Sequence, residues 1–201
     1  MDPVPTNTVP TNSVPTNTVP TNSVPTNTVP MDLATIEEIR QVKYRYLRCV
    51  DLKLWDELAG VFTPDATVDY GTQVYGKPLK LAGRDEIVGF LRDKLGPDMI
   101  TVHSAGQPEI TVDPEGDTAH GTWSFEDTVI ATKYRVVITG AAFYQDRYER
   151  GEDGRWRIAH TGYVRTYEAM MSLDDLPSFR ITAKLGEPRD EEKYRADPAV
   201  Q

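Results

Sequence analysis

A single cysteine, Cys49, stands in 201 residues, so no internal disulfide can form. Its apolar neighbours on a helical stripe mark it as a core residue rather than a nucleophile. No apolar run is long enough to span a bilayer. The N-terminus lacks the basic and apolar regions of a signal peptide. Positive charge is scarce: 22 Lys and Arg against 31 Asp and Glu give a net charge of -9. That balance repels phosphate backbones and disfavours nucleic-acid binding. The expectation is a cytoplasmic protein with neither nucleic acid nor membrane as partner. Missing motifs narrow the chemistry further. There is no HExxH, no CxxC and no carboxylate–histidine spacing of a metal site. Gly-rich phosphate loops and nucleophile elbows are also absent. A facing pair of glycosidase acids cannot be placed. Neither metal nor organic cofactor is expected.

Residues 1–30 lack aromatics and, apart from Asp2, charge. They repeat PTNTV and PTNSV units, and the recurring proline forbids a helix and spoils a sheet ladder. With so little apolar surface to offset the ordering entropy, this stretch reads as a disordered or polyproline-like tail. Met31-Asp32 repeats Met1-Asp2, so Met31 reads as an alternative start. A folded domain is expected over 31–171 and an irregular arm over 172–201, with Leu176, Phe179 and Ile181 docking.

The folded part opens with apolar residues at helical spacing: Ile36, Ile39, Val42 or Lys43, Tyr46 and Val50. Asp32 or Thr35 is the expected cap, with Glu37 and Glu38 in the first turn. A second helix is expected over Leu54 to Phe62, a turn at Thr63-Pro64-Asp65, a strand over Ala66 to Tyr70 and another over Gln73 to Leu81. A third helix fits Gly83 to Leu95. The period then changes from helix to strand. Met99 to Val112, Thr118 to Ile130, Tyr134 to Arg150 and Trp156 to Tyr167 read as strands, with turn signals at 113–116 and 151–154. Helices followed by a long meander give an α+β fold, a curved mixed or antiparallel sheet forming a cone around the N-terminal helices.

The order VDLKLWDEL, FTPDATVDY, VHSAGQPEITVDPEGDTAHG and GRWRIAH resembles the SnoaL-like branch of the nuclear-transport-factor-2-like superfamily, which includes scytalone dehydratase and bile-acid 7α-dehydratase. The superfamily also holds isomerases, cyclases, dehydrochlorinases and non-catalytic binders, so the fold does not fix the reaction. The resemblance implies His103 as catalytic histidine and Asp51 as the aspartate that orients it. It also implies Tyr46 and Tyr70 as hydroxyl donors and Asp127, or its neighbour Glu126, as a second acid. Arg165 matches an arginine of the last strand, although strand parity runs against it. Catalytic roles thus fall on His103, Asp51, Tyr46 and Asp127, and substrate binding on Tyr70, Arg165 and Trp123.

One imidazole near neutral pH can take a carbon-bound proton and return it. A buried carboxylate fixes its tautomer, and tyrosine hydroxyls can hold a developing enolate oxygen. The expected activity is a dehydratase or isomerase acting on a hydrophobic, carbonyl-bearing, steroid- or polyketide-like molecule. The competing readings are a non-catalytic binder with the same cone, and a cyclase or hydrolase using Asp51 and Asp127. On an ideal helix Tyr46 and Asp51 point well apart, so both reach one cavity only if the helix ends there. His120 reads as exposed, and His160 as an inward core residue in step with Trp156 and Ile158. Lys77, Lys80 and Arg84 read as ordinary surface. Val136, Ile138, Phe143 and Tyr148 are candidates for the pocket face and for the interface of a homodimer or homotrimer.

Overall fold

A computed structural model of the chain describes residues 33–72, 76 and 79–186. The expected tail, the cap Asp32, Lys77 and the end of the arm from 187 lie outside the described residues. Helix α1 spans Leu33–Leu52 and buries Ile36, Ile39, Val42, Tyr46 and Val50 at the expected spacing. Lys43 joins them on the buried face, whereas Thr35 lies buried inside the helix and is not its cap. The helix closes in a Schellman-type turn: Leu54 N–H donates to Cys49 O at 2.9 Å and Lys53 N–H to Val50 O at 3.4 Å. Lys53 therefore carries a left-handed backbone, φ 61°.

Helix α2 is a short Trp55–Ala59 segment and ends before the expected Phe62. Strand β1, Phe62–Tyr70, absorbs the expected turn at Thr63-Pro64-Asp65. The ladder to its neighbour breaks register between Phe62 and Thr67, so Pro64, which has no N–H, falls where no ladder bond is needed. Strand β2 is Leu79–Ala82, and residues 73–75 and 77–78 of the expected strand are outside the described residues. Helix α3, Arg84–Lys94, precedes β3 (Met99–Val112), β4 (Thr118–Ala131), β5 (Val136–Arg150) and β6 (Trp156–Ser172). A short 3-10 turn at Thr132–Tyr134 joins β4 to β5.

The six strands lie in the order β2-β1-β6-β5-β4-β3. All neighbours are antiparallel except β1 and β6, which run parallel. The sheet curls without closing, and the helices fill its concave side. Its core holds Ile39, Leu58, Phe62, Ile87 and Ile158, all fully buried. Beyond β6, Leu173 is buried, but Leu176 and Phe179 are exposed and Ile181 is half-buried. Leu176 and Phe179 therefore do not dock as the apolar pattern implies. On β5, Ile138 and Tyr148 face inward and Phe143 outward.

Irregular register on β6 sets which side chains face the interior. Tyr148 pairs with Ile158 but Arg147 pairs with His160, so one residue is inserted between them. The insertion flips the alternation. His160, expected inside, lies on the outer side, where its Nδ1 hydrogen-bonds Thr67 Oγ1 at 2.8 Å. Tyr163 and Arg165 are turned toward the interior by the same step.

A second set of polar groups is buried at the base of the cone. Lys43 Nζ lies 2.8 Å from Asp146 Oδ2, with both side chains inaccessible to solvent. Tyr148 donates to Asp146 at 2.7 Å and Trp123 Nε1 donates to Tyr148 at 3.0 Å. The ammonium also sits over the Tyr144 ring, 3.2 Å from its centre.

Candidate active site

A cavity of about 130 Å³ opens between α1, α3 and the inner face of the sheet. Three wider depressions, of about 350, 390 and 460 Å³, lie mostly on the sheet surface and its loops. The smaller cavity gathers apolar side chains and convergent polar groups. Phe90, Leu91, Met99, Val129 and Ile138 supply its apolar wall. Tyr46, His103, Asp127 and Arg165 supply polar groups within it.

His103 enters from β3. Its Nδ1 lies 2.7 Å from Asp51 Oδ1, and its backbone N–H donates to Asp51 Oδ2 at 2.9 Å. Thr101 also donates to Asp51 Oδ1, at 2.9 Å. An ionised carboxylate only accepts, so in the neutral imidazole the ring proton belongs on Nδ1 and the lone pair on Nε2. The two side chains are about one-fifth exposed or less. Asp51 does not line the cavity; it stands behind His103, while Tyr46 reaches the cavity directly. The wide angle between Tyr46 and Asp51 on the helix is thus no obstacle, because the two act on different layers of one wall.

Opposite the histidine, Tyr46 and Tyr70 share a hydroxyl hydrogen bond of 2.9 Å. Burial pushes both phenols well above their ordinary value, so they stay protonated donors through the neutral range. Tyr144 and Tyr163 complete this aromatic wall, and burial raises Tyr163 to about 12. Neither was singled out from the sequence; both carry only the signal of alternation along their strands.

Asp127 faces inward and Glu126 is exposed, which resolves the choice between them. Arg165 grips Asp127 with two hydrogen bonds, 2.6 and 2.8 Å long. Glu168 lies 3.3 Å from the same guanidinium, and Thr72 donates to Glu168 at 2.8 Å. Arg165 also stacks near the Tyr163 ring, 4.9 Å from its centre. Trp123 departs from expectation. It is fully buried, bonded to Tyr148 and absent from the cavity wall, so it is part of the base and not a substrate contact. Lys80 and Arg84 make exposed ion pairs with Asp69 and Asp85, as surface residues do. Among the described residues no cluster of three or more His, Cys, Asp and Glu side chains is arranged to hold a metal ion.

Gly140 keeps the arginine in place. A β-carbon there would come 2.7 Å from Arg165 Nη1 and 2.8 Å from the Tyr167 carbonyl. Gly140→Ala is therefore expected to displace the Asp127–Arg165 clamp and cost about 1–3 kcal/mol of stability. Chemical denaturation checks this, and an unchanged midpoint would show that the strand can shift to make room.

Comparison with known proteins agrees with the fold. A family model described as SnoaL-like domain matches residues 31–162. An uncharacterized protein of Mycobacterium tuberculosis is 32% identical over 139 residues, 67% of this chain and 87% of that protein. Among solved structures, a type 2 hexachlorocyclohexane dehydrochlorinase, LinA, superimposes with a TM-score of 0.61 at 18% identity, covering 77% of this chain and 97% of the other. A putative scytalone dehydratase from Novosphingobium aromaticivorans gives 0.60 at 18% identity, covering 78% and 96%. At such identity these two likenesses concern the fold.

Proposed function

The chain belongs to the SnoaL-like domain family, and on that premise we propose that it is a cofactor-independent dehydratase or isomerase working through His103 and Asp51. The observation that carries this reading is the 2.7 Å contact between Asp51 and Nδ1 of His103, a residue in the wall of a largely apolar cavity. A protein that only binds ligands has no need of a histidine held in one tautomer by a carboxylate that accepts three hydrogen bonds. Two structural neighbours are described as a dehydrochlorinase and a dehydratase, and both words denote eliminations, which supports the reaction type.

In this mechanism His103 Nε2 takes a proton from the carbon next to a carbonyl. Asp51 stabilises the imidazolium that forms. The electron pair moves onto the carbonyl oxygen, where the Tyr46–Tyr70 hydroxyl pair donates to the enolate. The imidazolium then returns its proton, to a leaving hydroxyl in dehydration or to another carbon in isomerisation. Asp127 and Arg165 orient the substrate. Their mutual clamp occupies the Asp127 oxygens, which weighs against a role for that acid in activating water.

The substrate is a hydrophobic, carbonyl-bearing molecule. A volume of about 130 Å³ is close to that of an engineered cavity of roughly 150 Å³ known to bind benzene. The enclosed part thus suits a single reacting ring, and any remainder of a larger polycyclic substrate would extend through the mouth. Incubation with β-hydroxy ketones of one to four rings in deuterated water is the test. Loss of water, or deuterium at the carbon next to the carbonyl, is expected for the wild type and not for His103→Gln. Equal exchange in both proteins would sink the mechanism.

A further inference from the structure

We propose that Lys53 is a positioning residue that fixes the direction of the hydrogen bonds behind His103 and keeps its imidazole in the neutral, base-ready form. The inference rests on the reading of His103 as the base, and three observations on the structure carry it.

The first is connectivity. Lys53 Nζ donates to Thr101 Oγ1 at 2.9 Å, and Thr101 donates to Asp51 Oδ1 at 2.9 Å. An ammonium has donors only, and a hydroxyl has one proton. With Lys53 filling an acceptor site on Thr101, the threonine proton is directed to Asp51. The carboxylate then accepts from Thr101, from the ring of His103 and from its backbone N–H. Lys53 is thus the outer end of a chain of donors that converges on Asp51, the same carboxylate that accepts the Nδ1 proton of the histidine.

The second is the backbone. Lys53 holds φ at 61°, at the turn after α1 where glycine is the usual occupant. A non-glycine residue at such a position costs stability and persists where the side chain has a use. Here that side chain reaches the residue that supports the dyad. The third is its setting. The ammonium is half-buried, 6.0 Å from the centre of the Trp55 ring, and burial lowers its pKa to about 8, an effect Asp51 partly offsets. It is therefore charged at neutral pH.

The charges around His103 come from every element packed on it. Asp51 and Lys53 stand behind it, and Asp127 is its cross-strand partner on β4. Arg165 and Glu168 from β6 and Lys94 from α3 share its cavity. The four cavity tyrosines are all raised and neutral near pH 7. Asp127 and Glu168 are already tied to Arg165, so Lys53 is the positive charge bound into the dyad itself.

The test reads the imidazole directly by NMR titration and needs no substrate. The chain has three histidines, and His103→Gln identifies the signal. Removing a nearby cation favours the imidazolium, so the His103 midpoint should rise by about half a pH unit or more in Lys53→Met and in Lys53→Gly. Glycine suits the left-handed turn, so that variant is expected to keep its fold. Lys53→Arg, which retains a charged donor, should restore the wild-type midpoint. A midpoint unmoved in both variants overturns the proposal. So does a shift in Lys53→Gly alone, which would assign the effect to the backbone. Because the midpoint is measured without turnover, failure of the catalytic reading leaves this result standing, and the two failures are told apart.

Discussion

His103→Ala is expected to lower turnover about a thousandfold while leaving ligand affinity and folding nearly intact. The size follows from the role. A positioned acid–base group contributes roughly 10²–10⁴ to rate, and here one imidazole would serve both proton transfers. Affinity should persist because most of the cavity wall is aromatic and aliphatic. Stability should persist because the ring is a partly exposed member of an edge strand, not a core residue. Asp51→Asn should approach the same loss by a different route. The amide presents a donor where the ring needs an acceptor and favours the wrong tautomer. Single-turnover kinetics on a substrate identified by screening separates these effects. Turnover above a tenth of wild type in His103→Ala would refute the acid–base assignment.

Asp146→Ala is expected to cost about 3–5 kcal/mol, the largest stability loss from any single polar side chain here. The reason is the partner left behind. Lys43 would keep an ammonium with no solvent and no counter-ion, held only by the faces of Tyr144 and Tyr46. Replacing both partners, as in Lys43→Met with Asp146→Leu, should recover most of the loss, because an apolar pair avoids desolvating two charges. Urea denaturation checks both proteins, and a cost below about 1 kcal/mol for Asp146→Ala would refute the account. The pH dependence has a definite sign. Burial lowers Lys43 from 10.5 to about 8, with Asp146 offsetting part of the effect. Between those values the unfolded chain still holds a proton that the native protein has released. Stability contributed by this group therefore rises with pH from 8 toward 10.5. Lys53, lowered in the same direction, adds to the same window. The raised tyrosines oppose both above pH 10. Lys43→Met should remove its share of the rise.

The architecture was largely readable because periodicity reports burial. The stripe on α1 and the change to alternation after residue 99 gave the helix and the four long strands to within a few residues. Errors gathered where local signals compete with the ladder. Pro64 looked like a turn, yet it sits in β1 at a break in register. Trp123 looked like an aromatic of the pocket, yet it packs at the base with Tyr148. Unbroken alternation along β6 predicts His160 inside and Arg165 outside. A single inserted residue puts the histidine outside and the arginine inside.

Sequence by itself determined the class of fold and the candidacy of Tyr46, Asp51 and His103. These depend on local pattern and on the order of motifs along the chain. Tertiary structure alone decided which of those groups meet. Asp51 and His103 are separated by 52 positions, and Arg165 and Asp127 by 38. Their contacts depend on register, bulges and the left-handed turn at Lys53. The physical reason is that a strand side chain reverses face with a one-residue slip, whereas composition and average spacing hardly change.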